Sequence, residues 1–176
     1  MHEHLHHGWS IHIRGVNMNR SCIAFACVVA LSAFPGSAFA QDALDACTLL
    51  TAAEVTQALG VTMLPGHHMG STSVTVCIFA PTAKFGMGER QIAVTVTPPA
   101  MFDLMNRSHG ISVATPATVP GTDAYFVTVG TVTTIHVRKN GKVFEVRMNP
   151  GRDGHETPAQ IQAIELSLAG KAAARV

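Results

Sequence analysis

The stretch Ala124-Tyr125-Phe126-Val127-Thr128-Val129-Gly130-Thr131-Val132-Thr133-Thr134-Ile135-His136-Val137-Arg138-Lys139-Asn140-Gly141-Lys142-Val143-Phe144-Glu145-Val146-Arg147-Met148 decides the fold. Ala124 to Val129, Val132 to Lys139 and Lys142 to Met148 are rich in β-branched and aromatic residues, the composition of half-buried strands. Gly130-Thr131 and Asn140-Gly141 separate them. Asn-Gly is the favoured pair of a two-residue type I′ hairpin, because both central positions need positive φ. Three strands joined in this way form an antiparallel meander, and its apolar face has to be covered by other elements.

Those elements lie on both sides of the stretch. Upstream, Thr51 and Glu54 form a capping box, with Leu50 and Val55 as a hydrophobic staple. Val55, Ala58 and Leu59 then make a buried stripe, and Gly60 closes the helix. Residues 61–71 read as a loop, marked by Pro65-Gly66 and Gly70. Ser73 to Ala80 alternates, with Val74, Val76 and Ile78 opposite Thr75, Cys77 and Phe79. After a loop from Pro81 to Gly88, Gln91 to Thr97 puts Ile92, Val94 and Val96 on one side. Pro98-Pro99 stops that strand, and Pro99 starts a short helix, Ala100 to Arg107, carrying Phe102, Leu104 and Met105. Residues 108–120 read as a loop with one short strand at most. Downstream, Thr157 caps a helix with Pro158 in its first turn and Ile161, Ile164 and Leu168 at helical spacing. The order α-β-β-α-β-β-β-α predicts an α+β domain: an antiparallel sheet of about five strands with helices packed on one face.

The chain has 176 residues, 47% hydrophobic and only 13% charged, with a formal charge of +1. That is one domain's worth of core-forming material, and it excludes a nucleic-acid binder, which needs clustered Lys and Arg. Part of the hydrophobicity belongs to a leader. Met18-Asn19-Arg20-Ser21 is a short positive segment, Cys22 to Phe34 an apolar run, and Ala38-Phe39-Ala40 a small-x-small cleavage pattern. The run is shorter than the roughly 20 residues a spanning helix needs. A lipoprotein box ending at Cys27 fits poorly because Phe25 sits inside it. The expectation is a signal peptide over 18–40, cleavage after Ala40, and a periplasmic or secreted domain over 41–176. Residues 1–17 read as an upstream extension from a mis-assigned start, with translation beginning at Met18; the alternative is that Met1-His2-Glu3-His4-Leu5-His6-His7 is a metal-binding tag.

Removal of the leader leaves Cys47 and Cys77, an even pair in an oxidising compartment. No Cys-x-x-Cys exists, so a redox or metal-ligand pair is disfavoured and one Cys47–Cys77 disulfide is expected. Closing that loop stabilises by about 3–4 kcal/mol in the chain-entropy account.

Cys47-Thr48-Leu49-Leu50-Thr51-Ala52-Ala53-Glu54-Val55-Thr56-Gln57-Ala58-Leu59-Gly60 resembles the opening of small exported bacterial proteins with Cys-x-Leu-Leu-Thr-x-x-Glu-Val-x-x-x-Leu-Gly. Val119-Pro120-Gly121-Thr122-Asp123-Ala124-Tyr125 and the hairpin Arg138 to Lys142 resemble later features of the same class. These are uncharacterised periplasmic and envelope lipoprotein-like domains. The resemblance implies a fold and a location, and it brings no catalytic residues.

Chemistry is sparse. Gly66-His67-His68-Met69-Gly70 is the one candidate metal constellation: imidazole and thioether suit copper or zinc. Adjacent histidines in an extended segment point in opposite directions, so His67 and His68 share an ion only if the loop turns between them. His136 reads as a half-exposed strand residue on the face of Val132, Thr134 and Arg138, able to contact a ligand or sense pH. Ser108-His109 is adjacency without a triad, no Gly-x-Ser-x-Gly or phosphate loop is present, and Asp103, Asp123, Glu145 and Asp153 are dispersed. Arg138, Lys139, Lys142, Arg147 and Arg152 make the last hairpin basic, which reads as a solvated sheet edge. The reading is a non-catalytic envelope module without a cofactor, binding a partner protein or small apolar ligand through one sheet face. Phe79, Tyr125 and His136 are the candidate contacts, with Phe126 better placed in the core. Metal handling by His67, His68 and Met69, or an unrecognised hydrolase, are the alternatives.

Overall fold

Helix starts follow the capping chemistry. Thr51 Oγ1 accepts from the Glu54 N–H while the Glu54 carboxylate accepts from the Thr51 N–H at 2.8 Å, which opens α1 (Ala52–Leu59). Gly60 ends α1 in the left-handed conformation. Thr157 and Gln160 repeat the box at the start of α3 (Pro158–Ala173), with Pro158 in its first turn. Between them, α2 (Pro99–Asn106) starts on proline without a side-chain cap. The computed structural model describes residues 44–70, 74–83, 88–107 and 112–176, so the expected leader and the segment before it lie outside the described residues.

Seven strands form one antiparallel sheet: β1 (His67–Met69), β2 (Thr75–Phe79), β3 (Gln91–Thr97), β4 (Ser112–Ala117), β5 (Asp123–Val129), β6 (Val132–Lys139) and β7 (Lys142–Asn149). Their order is β1-β2-β3-β7-β6-β5-β4. The α+β class holds, but the sheet exceeds five strands. The segment 61–71, expected as loop, contributes β1, and 108–120 contributes β4. Both are edge strands, ordered by a single neighbour, and Pro116 in β4 is a residue that sequence rules confine to edges. Asn140 (φ 49°) and Gly141 (φ 73°) make the expected positive-φ turn between β6 and β7.

The basic hairpin is not an edge. β6 and β7 lie between β5 and β3 in the middle of the sheet. Cations at its tip are used internally: Lys139 Nζ donates to the Ala173 carbonyl at 2.7 Å, and Arg138 engages two carboxylates.

Helices cover both faces, which corrects the one-face expectation. Alternation along β7 sends Phe144, Val146 and Met148 into the main core, with Ile135, Val137, Ile92 and Val94, under α1 and α3. Val143 points the other way and packs with Tyr125, Val127 and Phe102 of α2. The connection from β3 to β4 has to cross the sheet to its far edge. In doing so it lays α2 over the outer face, where an apolar patch receives Phe102. Cys47 and Cys77 form the expected disulfide, with Cα atoms 5.0 Å apart and 30 residues between them in sequence. It ties a 3-10 turn at Ala46–Thr48 to β2. No helix among the described residues is long and apolar enough to cross a membrane.

Candidate functional site: a groove between α2 and the β4 edge

Register assembles the site. β5 and β6 pair so that Asp123 lies opposite Arg138 and Tyr125 opposite His136, while β7 brings Glu145 opposite His136. Alternation puts all of these on the face that α2 covers. Tyr125 and His136 stack at 5.1 Å with rings 7° from parallel, and Phe102 meets Tyr125 edge-on at 4.7 Å. The Tyr125 hydroxyl donates to the Phe102 carbonyl at 2.6 Å. Burial, reinforced by the charges of Glu145 and Asp103, pushes the Tyr125 phenol up to about 12, so it stays protonated near neutrality.

Arg138 anchors the rim. Its guanidinium bonds Asp123 Oδ2 at 2.9 Å and Asp103 Oδ1 at 3.1 Å, and its Cζ lies 4.5 Å from the centre of the Phe102 ring. The Asp123 hydrogen bond, aided by both carboxylate charges, raises its already high pKa. A groove of about 870 Å³ opens beside this cluster. Phe102, Asp103 and Asn106 of α2 form one wall, the whole of β4 the other, and Asp123, Tyr125 and Arg138 lie between. The lining mixes carboxylates, hydroxyls, an amide and small apolar side chains. It suits an extended polar chain better than a compact apolar molecule.

Tyr125 and His136 come together, but both are buried; His136 is 3% exposed rather than half-exposed, because Tyr125 stacks on it under α2. His136 Nδ1 lies 3.3 Å from Glu145 Oε1 yet out of line for a hydrogen bond, and it has no hydrogen-bond partner among the described residues. Phe79 is 1% exposed in the core on the opposite face, with Phe126. Its role in the fold is packing, and it offers no surface for a partner. His67, His68 and Met69 occupy the exposed strand β1. His67 and Met69 share one face, while His68 lies on the other, opposite Cys77 and 3.6 Å from Asp45. The three do not converge on a point.

Two features escaped the sequence reading. Asp103, Asp123 and Arg138 are dispersed in the sequence; the β5–β6 register joins Asp123 to Arg138, and the placement of α2 adds Asp103. Glu165 is fully buried in α3, where its carboxylate accepts from Thr133 Oγ1 and the Met148 N–H, both at 2.9 Å. The signal was present: Glu165 stands four residues after Ile161 and three before Leu168, on the stripe that faces the sheet. Compared with protein-family models, curated proteins and solved structures, the chain matches none.

Proposed function

We propose that the chain is a non-catalytic binding module of the cell envelope, exported by the leader at 18–40, that holds an extended segment of a partner protein in the α2–β4 groove. The observation that carries this reading is the groove itself, which runs the length of the edge strand β4. An edge strand offers backbone donors and acceptors to a second chain, while neighbouring pockets select its side chains. Pro116 withholds one donor, so side-chain contacts along α2 have to supplement the ladder. The groove's polar share argues against a small apolar ligand. The disulfide supports the oxidising compartment that the leader implies.

The test is photocrosslinking in the native host. A benzophenone amino acid replaces Thr115 or Asn106 in the groove, or Thr82 away from it, in the full chain. Discrete adducts from Thr115 and Asn106, with none from Thr82, are expected. Equal labelling at all three positions, or none in the groove, sinks the proposal.

A further inference from the structure

We propose that the two sulfurs of the disulfide have a second state, as ligands of a zinc-class divalent cation completed by His68 and Asp45. Three observations meet here. Antiparallel pairing places His68 directly opposite Cys77, so their side chains share one face of the β1–β2 ladder. The ligand atoms of Asp45, Cys47 and His68 all lie within 4.8 Å of one another. The disulfide holds the Cys77 sulfur beside that of Cys47, at the buried side of this cluster.

One pair of ligand atoms already stands at the spacing of a metal shell, and the two sulfurs reach it once their bond is broken. Zinc bonds of about 2.0–2.3 Å in tetrahedral geometry set neighbouring ligand atoms about 3.3–3.8 Å apart. His68 Nε2 and Asp45 Oδ1 are already 3.6 Å apart. Asp45 Oδ1 accepts the Cys47 N–H at 2.8 Å, an interaction that orients the carboxylate without using its other lone pairs. His68 and Asp45 side chains are 59% and 46% exposed, so an ion has a path in from solvent. Cys77 is buried behind them, so the thiolate furthest from water has its charge met by the metal.

The disulfide and the metal are exclusive states of the same sulfurs. A dithiol reductant gives two electrons and two protons to the Cys47–Cys77 bond, which breaks to two thiols, while the reductant closes to its own disulfide. The cation then displaces both thiol protons to solvent. It forms two metal–sulfur bonds, with neutral His68 donating through Nε2 and Asp45 through a carboxylate oxygen. In this state the 3-10 turn stays joined to β2 through the ion.

The experiment uses the full chain with Cys22→Ser and Cys27→Ser, so that thiolate signals arise only from Cys47 and Cys77. Cobalt(II) is titrated into protein oxidised or reduced with a phosphine, followed by its thiolate charge-transfer and tetrahedral d–d absorption; zinc then displaces it. The reduced protein is expected to develop both bands at one equivalent, and the oxidised protein neither, whatever the N-terminal histidines bind. His68→Ala should weaken the thiolate-reporting site by at least ~10-fold, since even outer-shell losses have that effect. Absence of the thiolate band after reduction, or unchanged affinity in His68→Ala, overturns the proposal. Circular dichroism on the same samples covers the case in which reduction unfolds the chain. Zinc must then restore the signal in the parent and not in His68→Ala, and failure to restore it also overturns the proposal.

Discussion

Gly66 meets the disulfide and the core at close quarters. A methyl group there would overlap Cys77 Sγ and come within 2.9 Å of two Phe79 ring carbons. Its φ lies outside the left-handed region, so the objection to a side chain is contact rather than backbone conformation. Gly66→Ala should therefore destabilise by about 1–3 kcal/mol, the usual effect of overpacking a closed site. Gly60, at φ 67° with nothing near its Cβ position, should lose only about 1 kcal/mol on the same change, through backbone strain. Urea midpoints of the two variants check this, and a milder effect at Gly66 would mean that the Phe79 ring gives way. Pro65-Gly66 reads in the sequence as turn chemistry. The sulfur and ring against Gly66 come from residues 77 and 79 across the β1–β2 pair, and nothing local encodes them.

At the scale of elements, α2 is fastened to the outer face by the buried Phe102, the Tyr125 hydroxyl on the Phe102 carbonyl, and the Arg138–Asp103 pair. The first two lie in the sealed part of the site, whereas the ion pair stands at the exposed rim, where solvent screens it. Arg138→Gln should therefore leave the thermal midpoint little changed and loosen α2 locally, with faster amide exchange confined to residues 101–107. Exchange that quickens across the whole sheet would instead show Arg138 to support the fold globally. Local grammar makes the capped helices and the meander legible: Thr51 with Glu54, Thr157 with Pro158, and Asn140-Gly141 are instructions within a few residues of where they act. β1 and β4 lack such instructions. His67–Met69 is three exposed residues, and Ser112–Ala117 contains a proline, so pairing with β2 and β5 alone makes them strands. The side of the sheet taken by α2 is equally non-local, and with it the groove. Asp103 and Arg138, 35 residues apart, become neighbours only when the chain has crossed the sheet.

For the whole molecule, two carboxylates set opposing pH slopes. The Arg175 hydrogen bond holds Glu54 well below the usual range, at about 2 against an ordinary 4.5. Its contribution is therefore complete above pH 4.5 and lost as the pH falls through 2. Burial raises Glu165 to about 7 from the same ordinary value, against the Met148 N–H, the Thr133 hydroxyl and the Arg147 charge, all of which favour its ionised form. The fold then holds its proton more tightly than the unfolded chain does. Stability is complete below pH 4.5 and falls as the pH rises to 7, by roughly 3 kcal/mol at about 1.4 kcal/mol per pH unit. Together the two groups place their combined optimum near pH 4.5, acidic of neutrality. Glu165→Gln keeps an oxygen for the Met148 N–H and an amide that can donate to Thr133 Oγ1, while removing the titration. The variant should show a flat denaturation midpoint from pH 4.5 to 7.5, where the parent declines, and be the more stable protein at pH 7.5. Glu54→Gln should leave that decline intact and flatten the acid limb instead. A decline that survives Glu165→Gln would mean that another group carries it, since no remaining change in Glu165 is able to take up a proton.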